Sequence, residues 1–121
     1  SEKLSEYIET NVIQIAPLAF MRGRTLDNSF VLLDEAQNTT KPQMKMFLTR
    51  MGKSAKFIIT GDETQIDLPR KQPSGLLQAL DLLKNIDGVG IVKLDENDVI
   101  RHQLVKKIIT AYKSNENNQN E

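Results

Sequence analysis

Two groups of polar residues, each directly after an apolar run, have the side chains needed to form one catalytic site. Asp34 and Glu35 follow the first run, and Asp62 and Gln65 follow the second. An aspartate there can hold Mg²⁺ through the water shell of the ion, and an adjacent glutamate can polarise an attacking water. A glutamine is an uncharged group suited to contacting a γ-phosphate. Together these residues indicate the carboxylate half of a site that hydrolyses a nucleotide.

Other interpretations remain open at this point. Two acids also solvate ordinary strand ends, and an Asp-containing turn with a surface Gln is unremarkable by itself. Asp34, Glu35 and Asp62 could also hold two metal ions for phosphodiester cleavage, which would make the chain a metal-dependent nuclease. The presence of both polar groups, one after each run, favours a functional site over ordinary strand ends.

The phosphate-binding half of such a site is missing from the sequence. Gly52, Lys53 and Ser54 resemble the end of the motif G-x-x-x-x-G-K-[ST], but Phe47 stands where its first glycine belongs. A helix is also predicted before this segment and a strand after it, whereas a phosphate-binding loop joins a strand to a helix. We therefore interpret the segment as a linker.

The elements that position these residues follow from hydrophobic periodicity. Apolar runs predict strands at residues 12–16, 29–33, 56–60 and 89–94. Helices are predicted at residues 3–10, after the capping box of Thr40 and Gln43, after Ser74, and from Asn97 or Asp98. Alternating strands and helices predict an α/β fold with a parallel sheet, whose chemistry collects at the carboxyl ends of the strands. Residues 1–113 are expected to form this domain, and the polar residues 114–121 a disordered tail.

Composition narrows the class of protein. The 121 residues carry 16 basic and 16 acidic side chains, so the net charge is zero and does not favour a general polyanion binder. Without cysteine, thiolate zinc sites are excluded, and the single histidine His102 does not favour histidine-rich metal sites or histidine-based triads. No apolar run has the length of a membrane span, which predicts a cytoplasmic domain without membrane partners.

Several segments, in this order, resemble the PhoH family of P-loop ATPases, which are relatives of superfamily-one helicases. They are APLAFMRGRTL at 16–26, FVLLDEAQNTT at 30–40, PQMKMFLTRM at 42–51, TGDETQIDLPR at 60–70 and DVIRHQLVKKIITAY at 98–112. The resemblance implies a three-layer, RecA-like P-loop NTPase fold, a parallel sheet with flanking helices. It would be incomplete here, because the strand and loop of the Walker A motif are absent, and residues 1–113 would be the carboxyl-terminal half of a PhoH-like ATPase domain.

The resemblance also implies roles for individual residues, with ATP and Mg²⁺ as cofactors. Asp34 would bind Mg²⁺, and Glu35 and Gln65 would be catalytic. The residues implied to bind the nucleotide are Asp34, Gln37, Gly61, Asp62 and Arg101. Arg22 and Arg24 would contact RNA or reach the ATP of a neighbouring subunit. For Arg101, the simpler interpretation is an ion pair with the acids near it.

An intact member of the family would be expected to hydrolyse ATP, to act in RNA handling under stress such as phosphate starvation, and to form a homo-oligomeric ring. By itself, this chain is expected to be inactive. The alternative is a non-catalytic remnant of the family that only binds RNA or a protein partner.

Overall fold

The computed structural model describes residues 1–95, 98 and 100–119, and these fall into two compact units, Ser1–Val89 and Gly90–Glu121. The first unit contains α1 (Glu2–Glu9), β1 (Phe30–Leu33), α2 (Lys41–Leu48), β2 (Lys56–Ile59) and α3 (Gly75–Leu83). It also contains two short 3₁₀ helices, Leu18–Met21 and Ala36–Asn38. The second unit contains α4 (Gln103–Gln119). In the described part of the chain, no helix is long and apolar enough to cross a membrane.

Strands β1 and β2 pair in parallel, with Phe30 opposite Lys56 and Leu33 opposite Ile59. The ladder continues past the strand ends, since the N–H of Thr60 donates to the carbonyl of Leu33 at 2.9 Å. This confirms the two strands predicted from apolar runs and the α/β class with a parallel sheet and helices. The pairing brings the carboxyl ends of both strands to one edge.

The two strands are less buried than their apolar sequences predict. Exposed and half-buried side chains alternate along both of them, and Phe30 and Leu32 remain 80% and 65% exposed. Leu33 and Ile59 instead pack against the core formed with α2 and α3. In the part of the chain that the structure describes, the helices therefore cover one face of these strands, and the expected burial on both faces is not observed.

Helices α2 and α3 form the core beneath the strand ends. The capping box is confirmed: the Thr40 hydroxyl accepts from the N–H of Gln43, and the Gln43 side chain accepts from the N–H of Thr40. Met44 packs in the core with Ala36 and Leu76. Gly75 lets the two helices approach closely, since a Cβ there would collide with the carbonyl of Thr40.

Some predicted boundaries and elements are wrong. Residues 12–16 and 89–94 form no strand; they make no ladder with another strand, and a short apolar run alone does not supply a partner. Helix α2 ends at Leu48 instead of near Gly52, and α4 begins at Gln103 instead of near Asp98. The alternative start at Asn97 lies outside the described residues.

The polar residues after Ser114 also differ from expectation. We expected a disordered tail, but α4 continues through Gln119, while residues 120–121 lie outside the described part. Within this stretch the Ser114 hydroxyl donates to the carbonyl of Thr110 at 3.0 Å, a local bond that needs no packing partner. Helix α4 has no buried residue, so local bonds rather than a core account for its length.

Candidate functional site

The ends of β1 and β2 are joined through the carboxylate of Asp34. Its Oδ1 accepts hydrogen bonds from the hydroxyl of Thr60, at 2.8 Å, and from the backbone N–H of Glu35, at 2.9 Å. Thr60 immediately follows β2, so this contact depends on the parallel register of the two strands. Asp34 itself is exposed. The result is an accessible carboxylate whose orientation is fixed by two donors.

Glu35 adopts a left-handed backbone conformation, with φ 53° and ψ 37°. A residue other than glycine in this region carries a cost of about 1–3 kcal/mol and persists only where its surroundings impose it. Here Glu35 lies between Asp34, whose carboxylate accepts its N–H, and the 3₁₀ helix Ala36–Asn38. The backbone therefore turns sharply at the residue predicted to be catalytic, and its side chain is exposed.

Gln37 connects three parts of the first unit, and its side chain is fully buried. Its Nε2 donates to Oε2 of Glu35 at 2.5 Å, and its Oε1 accepts the backbone N–H of Asp62 at 3.1 Å. Its backbone carbonyl accepts the hydroxyl of Ser74 at 2.8 Å. The sequence predicted Gln37 among the nucleotide-binding residues, but in this conformation its amide bonds protein groups at both ends.

Gly61 is needed for close packing at this junction. A Cβ at this position would lie 2.6 Å from Cδ2 of Leu76 and 2.9 Å from Oε1 of Gln37. The family resemblance implied that Gly61 binds the nucleotide, and a residue without a side chain would let a ligand approach the backbone. The structure shows a second reason for glycine here, which is the room it leaves for Gln37 and Leu76.

Asp62 and Gln65 form a compact turn after β2. One oxygen of Asp62 accepts the hydroxyl and the N–H of Thr64, at 2.6 and 2.9 Å, and the other accepts Nε2 of Gln65 at 2.8 Å. The pKa of Asp62 is lowered from its ordinary value of 3.8, first by the Thr64 hydroxyl and then by the Thr64 N–H. Partial desolvation opposes this shift, and the Gln65 amide adds to it. Asp62 is thus held ionised by its own turn.

Three residues that the sequence analysis did not assign to the site support it. The Thr60 hydroxyl orients Asp34, the Thr64 hydroxyl orients Asp62, and Ser74 holds the backbone of Gln37. Ser74 was predicted only as the N-cap of α3, and it occupies that position without a side-chain capping bond. The D-x-T spacing of Asp62 and Thr64 is a local turn pattern that could have been noticed. The other two contacts join distant residues and leave no local pattern.

Within the first unit, Arg22 and Arg24 take no part in the described hydrogen bonds at the two strand ends. Arg22 and Arg24 are exposed on either side of Gly23, and Arg24 lines a groove of about 730 Å³ that also includes Phe30 and Leu32. Arg101 belongs to the second unit, where it is exposed and precedes α4. His102 also precedes α4, and its Nδ1 accepts the N–H of Leu104 at 3.1 Å.

The carboxylates of the site do not gather into a metal cluster. Within residues 1–95, 98 and 100–119, no group of three or more His, Cys, Asp or Glu side chains is arranged to hold an ion. Asp34 is nevertheless suited to a Mg²⁺ that keeps most of its water ligands, because such an ion needs only one or two protein carboxylates. Its exposed, hydrogen-bonded carboxylate fits that requirement.

Comparison with known proteins identifies the family. The model of the family described as PhoH-like protein matches residues 1–113, which is most of the chain. The chain belongs to the PhoH-like family. All of the hydrogen bonds described above at the two strand ends lie inside the matched residues.

Relatives of this PhoH-like chain occur in several bacteria. It is 62% identical over 105 residues to a PhoH-like protein of Bacillus subtilis and 53% identical over 116 residues to one of Synechocystis. It is 49% identical over 104 residues to Protein PhoH of Escherichia coli. These alignments cover 87%, 96% and 86% of the chain but only 33%, 35% and 29% of the relatives. The PhoH-like chain therefore spans about a third of the length of these relatives.

Proposed function

We propose that this PhoH-like chain provides the Mg²⁺-binding and water-activating half of an ATP-hydrolysing site with a P-loop NTPase fold. The observation that carries the proposal is the hydrogen-bonded junction of the two strand ends, where the carboxylates of Asp34, Glu35 and Asp62 each accept a hydrogen bond from a protein donor. Phosphoryl transfer relies on positioned charges and a positioned water more than on covalent chemistry. A junction that fixes several carboxylates at one sheet edge meets that need.

Each residue has a defined task in this proposal. Asp34 holds Mg²⁺ through the water shell of the ion, and bound Mg²⁺ would neutralise charge on the phosphates. Glu35 orients and polarises the attacking water as a general base. Gln65 and Asp62 form the turn that would contact the γ-phosphate, and Gly61 leaves room for the Gln37 side chain that accepts the N–H of Asp62. The phosphate-binding loop would come from outside these 121 residues, in a protein of the length of the relatives.

The wider role is proposed at the level of the whole protein. We infer a cytoplasmic ATPase that forms homo-oligomeric rings and acts on RNA under stress such as phosphate starvation. Arg22 and Arg24 would contact RNA or the ATP of a neighbouring subunit, and Arg101 would contact the nucleotide. The resemblance of the sequence motifs supports these assignments, together with the exposure of the three arginines.

Substitution of Glu35 tests the proposal directly. In the full-length protein, Glu35→Gln keeps the shape of the side chain but removes the base, so ATP hydrolysis should fall by about 10²–10⁴-fold. Binding of a fluorescent ATP analogue should persist, because the phosphate contacts are untouched. The matched control is Glu9→Gln in α1, the same chemical change on an exposed helix far along the sequence.

Two results would contradict the proposal. Hydrolysis retained in Glu35→Gln would remove Glu35 from the mechanism. A wild-type protein that binds RNA in a salt-dependent way but never hydrolyses ATP would favour the non-catalytic binding module instead.

A further inference from the structure

We propose that Gln37 is a positioning residue that sets the direction of the Glu35 carboxylate by tying it to the start of the Asp62 turn. The inference rests on the proposed function, since it concerns the residue assigned to activate water. It assigns Gln37 a task other than nucleotide contact.

Glu35 needs an external partner to point in one direction. Its side chain is exposed, so solvent alone would let it rotate among several rotamers. Its backbone is in the left-handed region, which moves the side chain away from the path that a continuing strand would give it. The bond from the amide of Gln37 to Oε2 is the contact that restricts the carboxylate.

The amide of Gln37 can act as this partner because its own orientation is fixed. It has no solvent exposure, and its Oε1 is held by the N–H of Asp62, so Nε2 must face Glu35. Ser74 fixes the backbone of the same residue from the side of α3. A glutamine supplies a donor at one end and an acceptor at the other, and an ionised glutamate, a leucine or a methionine cannot do both.

The geometry makes Gln37 a link between two segments of the site. The Asp62 N–H lies at the beginning of the turn that holds Thr64 and Gln65, so a displacement of this turn is transmitted through one amide to Glu35. Gly61 allows the link to be short, since a Cβ there would approach Oε1 of Gln37 to 2.9 Å.

The test uses the full-length protein and two substitutions of Gln37. Gln37→Glu replaces the donor with a carboxylate facing Glu35, in a region that already holds Asp34, Asp62 and Glu63. We expect kcat to fall about 10–100-fold with KM for ATP changed less than twofold. The acidic limb of the pH–rate profile should move to higher pH, because two adjacent carboxylates retain a proton more readily. Gln37→Met keeps the volume without either bond and should lower kcat without moving the limb.

Controls separate this role from a general structural one. Gln43→Glu makes the same charge change in the capping box, where glutamate is an accepted residue, and should leave kcat, KM and the pH profile unchanged. Thermal melting shows which variants are folded. Hydrogen exchange of the Asp62 amide gives a readout without turnover, since exchange should accelerate in Gln37→Met when its acceptor is lost.

Each outcome supports or overturns a specific statement. A rise in KM with kcat preserved in the Gln37 variants would mean that Gln37 contacts the nucleotide, and the inference would be wrong. Unchanged turnover, pH profile and Asp62 exchange would also overturn it. If Glu35→Gln abolishes hydrolysis while folded Gln37 variants retain it, only this inference fails. If Glu35→Gln retains full activity, the proposed function fails.

Discussion

Substitution of Gly61 measures how closely the residues at the two strand ends pack. In Gly61→Ala the new methyl would lie 2.6 Å from Cδ2 of Leu76, 2.9 Å from Oε1 of Gln37 and 3.1 Å from the backbone nitrogen of Gln37. Ordinary carbon–carbon contacts are about 3.5–4.0 Å, so neighbouring atoms must move by about 1 Å. Leu76 can give way by rotation, but Gln37 is held at both ends of its amide.

We expect Gly61→Ala to destabilise the protein by about 1–3 kcal/mol, the range for overpacking, because the added methyl would press on the buried side chains of Gln37 and Leu76. Alanine variants of two other glycines serve as references for the change in unfolding free energy. Gly90→Ala adds a methyl that meets nothing within 4 Å, and Gly90 has no positive φ, so it should be neutral or stabilise by up to about 1 kcal/mol. Gly75→Ala meets the carbonyl of Thr40 and lies 2.8 Å from Cβ of Met44, and neither atom can rotate away. It should cost more than Gly61→Ala.

The assay is unfolding of the wild type and the three variants by urea, measured by circular dichroism. The dependence of the unfolding free energy on urea concentration should be the same in all four proteins, so that the unfolding midpoints report their stability. The expected order of stability is Gly90→Ala, then Gly61→Ala, then Gly75→Ala. If Gly61→Ala were as stable as Gly90→Ala, the packing of Gly61 against Gln37 and Leu76 would be looser than described. Our explanation of the glycine would then be refuted.

Two further predictions concern the threonines. Thr64→Val removes the hydroxyl that most lowers the pKa of Asp62, so this pKa should rise toward 3.8 in a ¹³C NMR titration; an unchanged titration would contradict the assigned cause. The pKa of Asp62 is lower in the folded than in the unfolded protein, so Asp62 contributes stability at neutral pH. That stability is lost as the pH falls through the folded pKa. The Thr64→Val variant should therefore lose less stability on acidification than the wild type. Thr60→Val removes a donor to Asp34 and should raise the Mg²⁺ concentration needed for half-maximal ATP hydrolysis by the full-length protein, with at most about 1.5 kcal/mol of lost stability. Thr110→Val, whose hydroxyl bonds only within α4, is the control, and an equal Mg²⁺ response in both variants would count against the role of Thr60.

The sequence allowed the local features of the first unit to be predicted. The strands around Leu33 and Ile59 and the capping box of Thr40 and Gln43 depend on neighbouring residues, and all are present. Polar residues at two strand ends also follow from the pattern, because parallel strands end at one edge. The strands expected at 12–16 and 89–94 failed because an apolar run does not reveal whether a pairing partner exists.

The contacts that support the site could not be predicted from the sequence, for a related reason. Nothing in the order of residues shows that the Ser74 hydroxyl turns from its own helix to the carbonyl of Gln37. The left-handed conformation of Glu35 was equally unexpected, since glutamate has no preference for that region. The Ser74 contact is decided by packing between segments that are distant in the chain.

The hydrogen-bonded residues of the site lie far apart in the sequence, and this separation determines when the site forms during folding. The bonds from Thr60 to Asp34, from Asp62 to Gln37 and from Ser74 to Gln37 join residues 26, 25 and 37 positions apart. Contacts of this kind form only after long loops have closed, whereas the capping box can form within a few residues. During folding, helix α2 can therefore start before the site exists. These three long-range bonds form at the step that docks β2 and α3 onto the end of β1, so their formation would report completion of the fold.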